Sequence, residues 1–206
     1  MEGRMKEERV DCRGLACPAP VLKVKDLLDR SPVDRITVWV DNPASKENVS
    51  RFLTRAGFQV QVQVQDDAQG FAVIGSRGAE EAGQVFVPKA DAESARILVL
   101  VGTARLGSGD DVLGAKLMEN FLGTLKEMGP ALWRLVFLNG GVHLTVEGSP
   151  VLDILKNLEK DKVSLLVCGT CLNHFGLLEK KAVGETTNML DIVTSMQLAD
   201  RVISLT

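Results

Sequence analysis

The eight residues Phe58-Gln59-Val60-Gln61-Val62-Gln63-Val64-Gln65 alternate apolar and polar side chains without exception. A helix cannot keep such a segment on one face, because its side chains realign every 3.6 residues; a strand can, because successive side chains point to opposite faces. The run therefore predicts an antiparallel strand with one face on a core and the other in water. Residues 71–75 follow a short turn over 66–70 and read as its hairpin partner. Further along, Arg96-Ile97-Leu98-Val99-Leu100-Val101-Gly102 has no polar residue between its ends, the pattern of a parallel strand covered on both faces. One chain with both patterns predicts two different sheets.

The segments around these strands fill in two units. Residues 8–11 read as extended, 18–28 as a helix with Val21, Leu22, Val24, Leu27 and Leu28 on its apolar face, and 36–40 as a strand. A helix over 43–56 carries Val49, Phe52, Leu53 and Ala56 inward, and Gly57 is placed to stop it. The order β-α-β-α-β-β predicts a small two-layer domain with both helices on one sheet face. Residues 76–92 turn rich in Gly, Ala and Glu, with a short strand candidate at 85–87, and supply the linker.

After strand 97–101 come a helix over 111–128, a strand over 134–138, a Gly140-Gly141 loop, a helix over 151–158 and a strand over 163–167. A helix over 188–199 and a strand over 201–205 close the chain. This alternation predicts βαβ crossovers and a three-layer, flavodoxin-like α/β parallel sheet, with its site beyond the carboxyl ends of the strands. The expected boundaries are 1–78 for the first domain, 79–94 for the linker and 95–206 for the second.

Composition excludes several classes. Lys and Arg total 24 against 27 Asp and Glu, a net charge of -3, so no positive field recruits a phosphate backbone. Aromatic residues are 4% with no tyrosine, which removes the stacking platform of a single-strand binder; no nucleic-acid partner is expected. The longest apolar runs, 97–101 and 165–167, fall far short of the roughly 20 residues a membrane helix needs. Residues 1–9 are charged and contain no secretory apolar core. No membrane partner and a cytoplasmic location are therefore expected, where four cysteines read as thiols, ligands or transient redox partners rather than as a disulfide framework.

All four cysteines stand where a strand hands over to a helix. In Asp11-Cys12-Arg13-Gly14-Leu15-Ala16-Cys17-Pro18-Ala19-Pro20, Pro18 is suited to the first helical position, which leaves Cys17 near the N-cap. Unsatisfied N–H groups and the positive end of the helix dipole there favour a thiolate. Reactive thiol, structural packing and metal ligand all remain open for Cys17. Arg13 is either a counter-charge for a persulfide or a solvated arginine, and Cys12 a buried thiol at a strand end.

The second pair, Cys168-Gly169-Thr170-Cys171, follows a buried-strand pattern and opens a helix. In a C-x-x-C pair one thiolate can attack a mixed disulfide made by the other. Packing, or half of a four-sulfur zinc site, are the other readings. His174 is three residues beyond Cys171, within reach as a base or hydrogen-bond donor on a helix, with polar surface or packing as its other reading, and His143 follows the glycine loop, where an active-site loop is one possibility. The turn over 102–111 lacks the lysine of a phosphate-binding loop and reads as a βα turn with an Asp helix cap.

Residues 8–76, with the Gly14-Leu15-x-Cys17-Pro18-x-Pro20 pattern and the run Asp41-Asn42-Pro43-Ala44-Ser45, resemble the TusA (SirA-like) family of sulfur carriers. That resemblance implies that Cys17 accepts sulfane sulfur as a persulfide and passes it to a partner. Residues 95–206, with Gly107-Ser108-Gly109-Asp110-Asp111, Leu113 to Met118 and Cys168, resemble the DsrE-like superfamily, which places the family cysteine on Cys168; Cys171 is additional. The fusion resembles the YedF-type group, described as sulfurtransferase-like and linked to selenium metabolism. Together these imply a sulfur carrier or sulfurtransferase in which Cys17, Cys168 and Cys171 do the chemistry. Cys171 resolves a persulfide or mixed disulfide on Cys168, and no organic cofactor or metal is needed. The partners are sulfur donor and acceptor proteins or a small sulfur or selenium species, and a homo-oligomer is left open. Two rival readings are a thiol-disulfide redox protein and a non-catalytic regulatory or interaction protein.

Overall fold

The structure, a computed structural model, describes residues 6–16, 18–65, 70–77 and 95–206. They fall in two units, Met1–Lys89 and Ala90–Thr206, each with its own hydrophobic core. Cys17, the turn over 66–69, the linker expected at 79–94 and the strand candidate at 85–87 lie outside the described residues.

The first unit runs β1 (Glu7–Asp11), α1 (Ala19–Arg30), β2 (Arg35–Val40), α2 (Pro43–Arg55), β3 (Gln59–Gln65) and β4 (Gly70–Ser76). Its sheet has the order β1-β2-β4-β3, with β1 parallel to β2 and the other neighbours antiparallel. Each helix buries a stripe at four-residue spacing: Pro20, Val24 and Leu28 on α1, and Ser45, Val49 and Leu53 on α2. These meet Ile36, Val38 and Val40, the alternate residues of β2, all fully buried. Burying a side chain of this kind is worth about 1.5–3 kcal/mol, so the stripes fix both helices to one sheet face. The end of α2 is closed by Phe58 N–H donating to Leu53 O (3.0 Å) and Gly57 N–H donating to Thr54 O (3.1 Å), a Schellman pair.

The strand over Gln59–Gln65 departs from expectation on one point. Among the described residues it is an edge strand paired only with β4, and its valine face is not buried: Val62 is 44% and Val64 69% exposed. Alternation fixes which side chains share a face; cover for that face depends on how far the helices reach, and only Val60 joins the core.

The second unit runs β5 (Ile97–Val101), α3 (Asp111–Thr124), β6 (Leu132–Phe137), α4 (Leu152–Lys160), β7 (Ser164–Cys168), α5 (Gly169–His174), β8 (Glu185–Thr187), α6 (Met189–Leu198) and β9 (Arg201–Leu205). Its five strands are all parallel in the order β8-β7-β6-β5-β9. The connection from β8 to β9 returns across the whole sheet, opposite in direction to the earlier ones. Right-handed crossovers then place α6 on the face opposite α3 and α4, giving three layers. On the α6 side, Arg134 of β6 donates to Ser164 Oγ of β7 (3.1 Å) and to Ser195 Oγ of α6 (2.6 Å).

Two expected elements change form. The helix over 111–128 stops at Thr124, and Leu125–Ala131 forms 3-10 turns broken at Gly129, whose φ of 56° and ψ of -141° are not helical and which directly precedes Pro130. The Gly140-Gly141 loop is a 3-10 segment, Asn139–Thr145. The three-residue β8 has no apolar signal in sequence; its backbone pairs with β7 from Leu166 to Cys168.

Candidate functional sites

In the first unit the chain leaves β1 through a loop pinned from both sides. Cys12 N–H donates to Trp39 O (2.8 Å), and the Cys12 side chain is fully buried, 3.9 Å from Pro20 O. Burial pushes its thiol above the ordinary cysteine value; it is a packing residue of this core. Gly14 takes a positive φ of 74°, which a side chain disfavours, and its N–H donates to Asp41 Oδ2 at 2.5 Å. Asp41 Oδ1 accepts from Asn42 Nδ2 (2.9 Å), and these bonds, the Gly14 amide foremost, hold the Asp41 carboxyl below its usual value.

Arg13 is committed. Its Nε and one terminal nitrogen reach the Asp11 carboxylate at 2.9 and 2.5 Å, and this fork draws Asp11 down to about 2. This fork ties the loop to the end of β1.

The helix start also differs from the sequence expectation. Pro18 is the N-cap rather than the first helical residue, and Pro20 occupies the first turn. Neither proline has an N–H, Ala19 donates to Ala16 O (2.9 Å) and Val21 to Pro18 O (3.1 Å). The free first-turn amides expected to stabilise a thiolate are absent here, which leaves the dipole of α1 as the electrostatic contribution of this helix.

In the second unit Cys168 ends β7 and is the N-cap of α5, and Cys171 is the third residue of that helix. Spacing from cap to third residue puts both sulfurs on one side of the first turn. Cys168 is 3% exposed, whereas Cys171 is half-buried. Cys171 Sγ accepts a hydrogen bond from the Asn139 N–H at 3.1 Å. Burial first, and then a hydrogen bond with Cys168, push the Cys171 thiol up, with the Asn139 amide pulling the other way.

Asn139 is placed by close packing between strand ends. It has a φ of 47°, in the left-handed region that asparagine tolerates better than most residues. The neighbouring Leu138 N–H donates to Val101 O (3.0 Å), and a Cβ on Gly141 would sit 2.1 Å from that same carbonyl oxygen. Only glycine lets the segment close on the end of β5. Sequence reading missed Asn139; its position before two glycines was the available signal.

His143 and His174 both pack on Phe175, with ring centroids 4.7 and 4.9 Å apart. The turn after β5 is the capped βα turn expected: Asp110 accepts from Leu113 N–H (2.7 Å), and Arg105 pairs with Asp111 (2.7 Å). Among the described residues no group of three or more His, Cys, Asp or Glu is arranged to hold a metal, and no helix is long and apolar enough to cross a membrane.

Against known proteins, residues 8–75 match the family model described as Sulfurtransferase TusA. A SirA-like protein from Desulfitobacterium hafniense is similar over 34% of this chain and 97% of its own, at 27% identity and a TM-score of 0.32. The ychN protein from E. coli is similar over 54% of this chain and all of its own, at 19% identity and a TM-score of 0.45. No curated protein matches.

Proposed function

We propose that this chain is a sulfur-relay protein. Cys17 carries sulfane sulfur as a persulfide and delivers it to a protein or small-molecule acceptor, and Cys168 with Cys171 forms a second sulfur-handling centre. The observation that carries this reading is the match of residues 8–75 to a sulfurtransferase family, on the stretch that contains Cys17-Pro18-Ala19-Pro20 where the chain enters α1. The loop from Asp11 to Gly14 in the same stretch is tied to both neighbouring strand ends, by Arg13 to Asp11 and by the Gly14 N–H to Asp41. In this assignment 1–78 is the carrier domain, 79–94 the linker and 95–206 the DsrE-like domain of a YedF-type fusion. Reduced selenium is the alternative cargo that the YedF-type resemblance brings, since thiol chemistry accepts either element.

A thiol-disulfide redox protein is the competing reading, favoured by the placement of Cys168 at the N-cap and Cys171 at the third residue of the same helix turn. Incubation with a sulfane-sulfur donor and intact-mass measurement separates the two. The relay predicts a gain of one sulfur atom that disappears in Cys17→Ala and persists in Cys168→Ala. Loss of two hydrogens with no sulfur gained in any variant overturns the relay in favour of the redox reading.

A further inference from the structure

The DsrE-like resemblance puts the cargo on the first cysteine of the C-x-x-C pair, with the second resolving it. Burial argues for the reverse. Cys168, at 3% exposure, is sealed between the end of β7 and the first turn of α5, whereas Cys171 retains open surface. Sulfane sulfur travels on the sulfur atom of a donor, and the accepting sulfur must come into bonding contact with it. Cys171 is also the sulfur with a backbone donor, the Asn139 amide at 3.1 Å, aimed where negative charge would sit. We infer, resting on the sulfur-relay reading above, that Cys171 takes up sulfane sulfur at this centre and that buried Cys168 then expels it as sulfide. The pair is thus a site of reductive sulfide release rather than a second storage point.

The chemistry balances. In the first step the Cys171 thiolate attacks the terminal sulfur of a donor persulfide. A bond forms between Cys171 Sγ and that sulfur, the donor's S–S bond breaks, and the donor leaves as a thiol after taking a proton. In the second step the Cys168 thiolate attacks Cys171 Sγ. The Cys168–Cys171 disulfide forms, the bond to the terminal sulfur breaks, and hydrosulfide departs. The two thiols together lose two electrons and two protons, and the sulfane sulfur gains them as hydrogen sulfide. A dithiol reductant returns the pair to its starting state for another turnover. The spacing suits the second step: Cβ atoms three apart on a helix lie roughly 5–6 Å from each other, and closing a disulfide needs about 3.5–4.5 Å. A small adjustment of the first turn therefore suffices.

The position of the resolving thiol has its own logic. A sulfur shielded from bulk reaches its neighbour one turn away and few other partners, so the persulfide on Cys171 meets Cys168 before an external thiol. Burial first, and then the neighbouring Cys168, push the Cys171 thiol up, and a smaller thiolate fraction slows oxidation of the pair when no donor is docked.

The test uses the full chain, reduced beforehand, with glutathione persulfide as donor and Cys17→Ala as the background so that the first centre is silent. In that background we expect one sulfide per chain and loss of two hydrogens from the peptide holding both cysteines. With Cys168→Ala added, Cys171 retains one extra sulfur and sulfide release falls to the protein-free level; Cys168→Ser repeats this arm without enlarging the cavity. With Cys171→Ala added, the chain takes up nothing. Sulfur retained on Cys168 in that last variant overturns the assignment, and sulfide released undiminished without Cys168 overturns the release step. On the protein with no substitution, iodoacetamide labels Cys171 before Cys168; the opposite order also overturns the proposal. A Cys168→Ala/Cys171→Ala chain that loads Cys17 shows the carrier reading standing whatever these arms give, and one that does not load Cys17 counts against the carrier itself.

Discussion

The Gly14 amide donates to the Asp41 carboxylate across 2.5 Å, tying the loop after β1 to the loop after β2. The two strands are parallel neighbours, so their carboxyl ends emerge side by side, and a single hydrogen bond is enough to join the two exits. Asp41→Ala removes the acceptor and leaves Asn42 capping α2 through Ser45 N–H at 2.8 Å. The expected result is faster hydrogen exchange at the Gly14 amide and slower sulfur loading of Cys17, with the circular dichroism of the fold unchanged. Unchanged exchange at Gly14 would show that the tie does not hold the loop.

The Arg13 fork makes Asp11 an acid-resistant anchor. Its folded value is depressed from 3.8 to about 2, so its contribution is fully present above 3.8 and is lost as pH falls toward about 2. Carboxyl-detected NMR titration of Asp11 is expected to give a midpoint near about 2. Arg13→Ala should return that midpoint toward the ordinary carboxylate value, because the first and largest cause is the Arg13 side chain.

Cys171 is held above the ordinary thiol value, so its thiolate fraction at neutral pH is small and its alkylation rate climbs through the alkaline range. The Cys168 contribution has the raising sign. Cys168→Ala is therefore expected to move the Cys171 alkylation profile to lower pH, with a higher rate at neutral pH. A profile that stays in place, or moves up, contradicts the raising influence of Cys168.

Gly141→Ala presses a methyl group into the Val101 carbonyl, whereas at Gly140 the nearest atom to a new Cβ is 3.6 Å away. The first substitution is expected to cost about 1–3 kcal/mol by overpacking and to shift the Asn139 amide off Cys171. The second is expected to stay within about 0.5 kcal/mol. Urea denaturation gives both values, and the alkylation profile of Cys171 reports whether the amide has moved.

The strands and helices were legible where one periodicity ran unbroken. The stripes of α1 and α2, the alternation of β2 and the apolar run of β5 each state their own burial, and together they define the two-layer and three-layer architectures. Legibility stopped where a property belongs to two segments at once. Exposure of Val62 and Val64 depends on the reach of α2, and the pairing of β8 depends on backbone exposed by β7. At the sites, the residue types were readable and their relations were not. Arg13 is recognisable as a cation in sequence, but its partner Asp11 is a matter of loop geometry. The cysteine pair is visible as a motif, but which sulfur is sealed follows from how β7 enters α5, and the Asn139 donor arrives from a different strand.

The order β8-β7-β6-β5-β9 also bears on how the chain is made. Strand β5 receives one flank from residues 201–205, with Gly102 N–H donating to Leu205 O at 2.8 Å and Arg96 N–H to Asp200 Oδ2 at 2.7 Å. On the ribosome, β5 therefore waits with an open edge until more than ninety further residues have been added. The six described elements of the first unit have been synthesised by Ser76, so its loop can settle while the second sheet is still being translated.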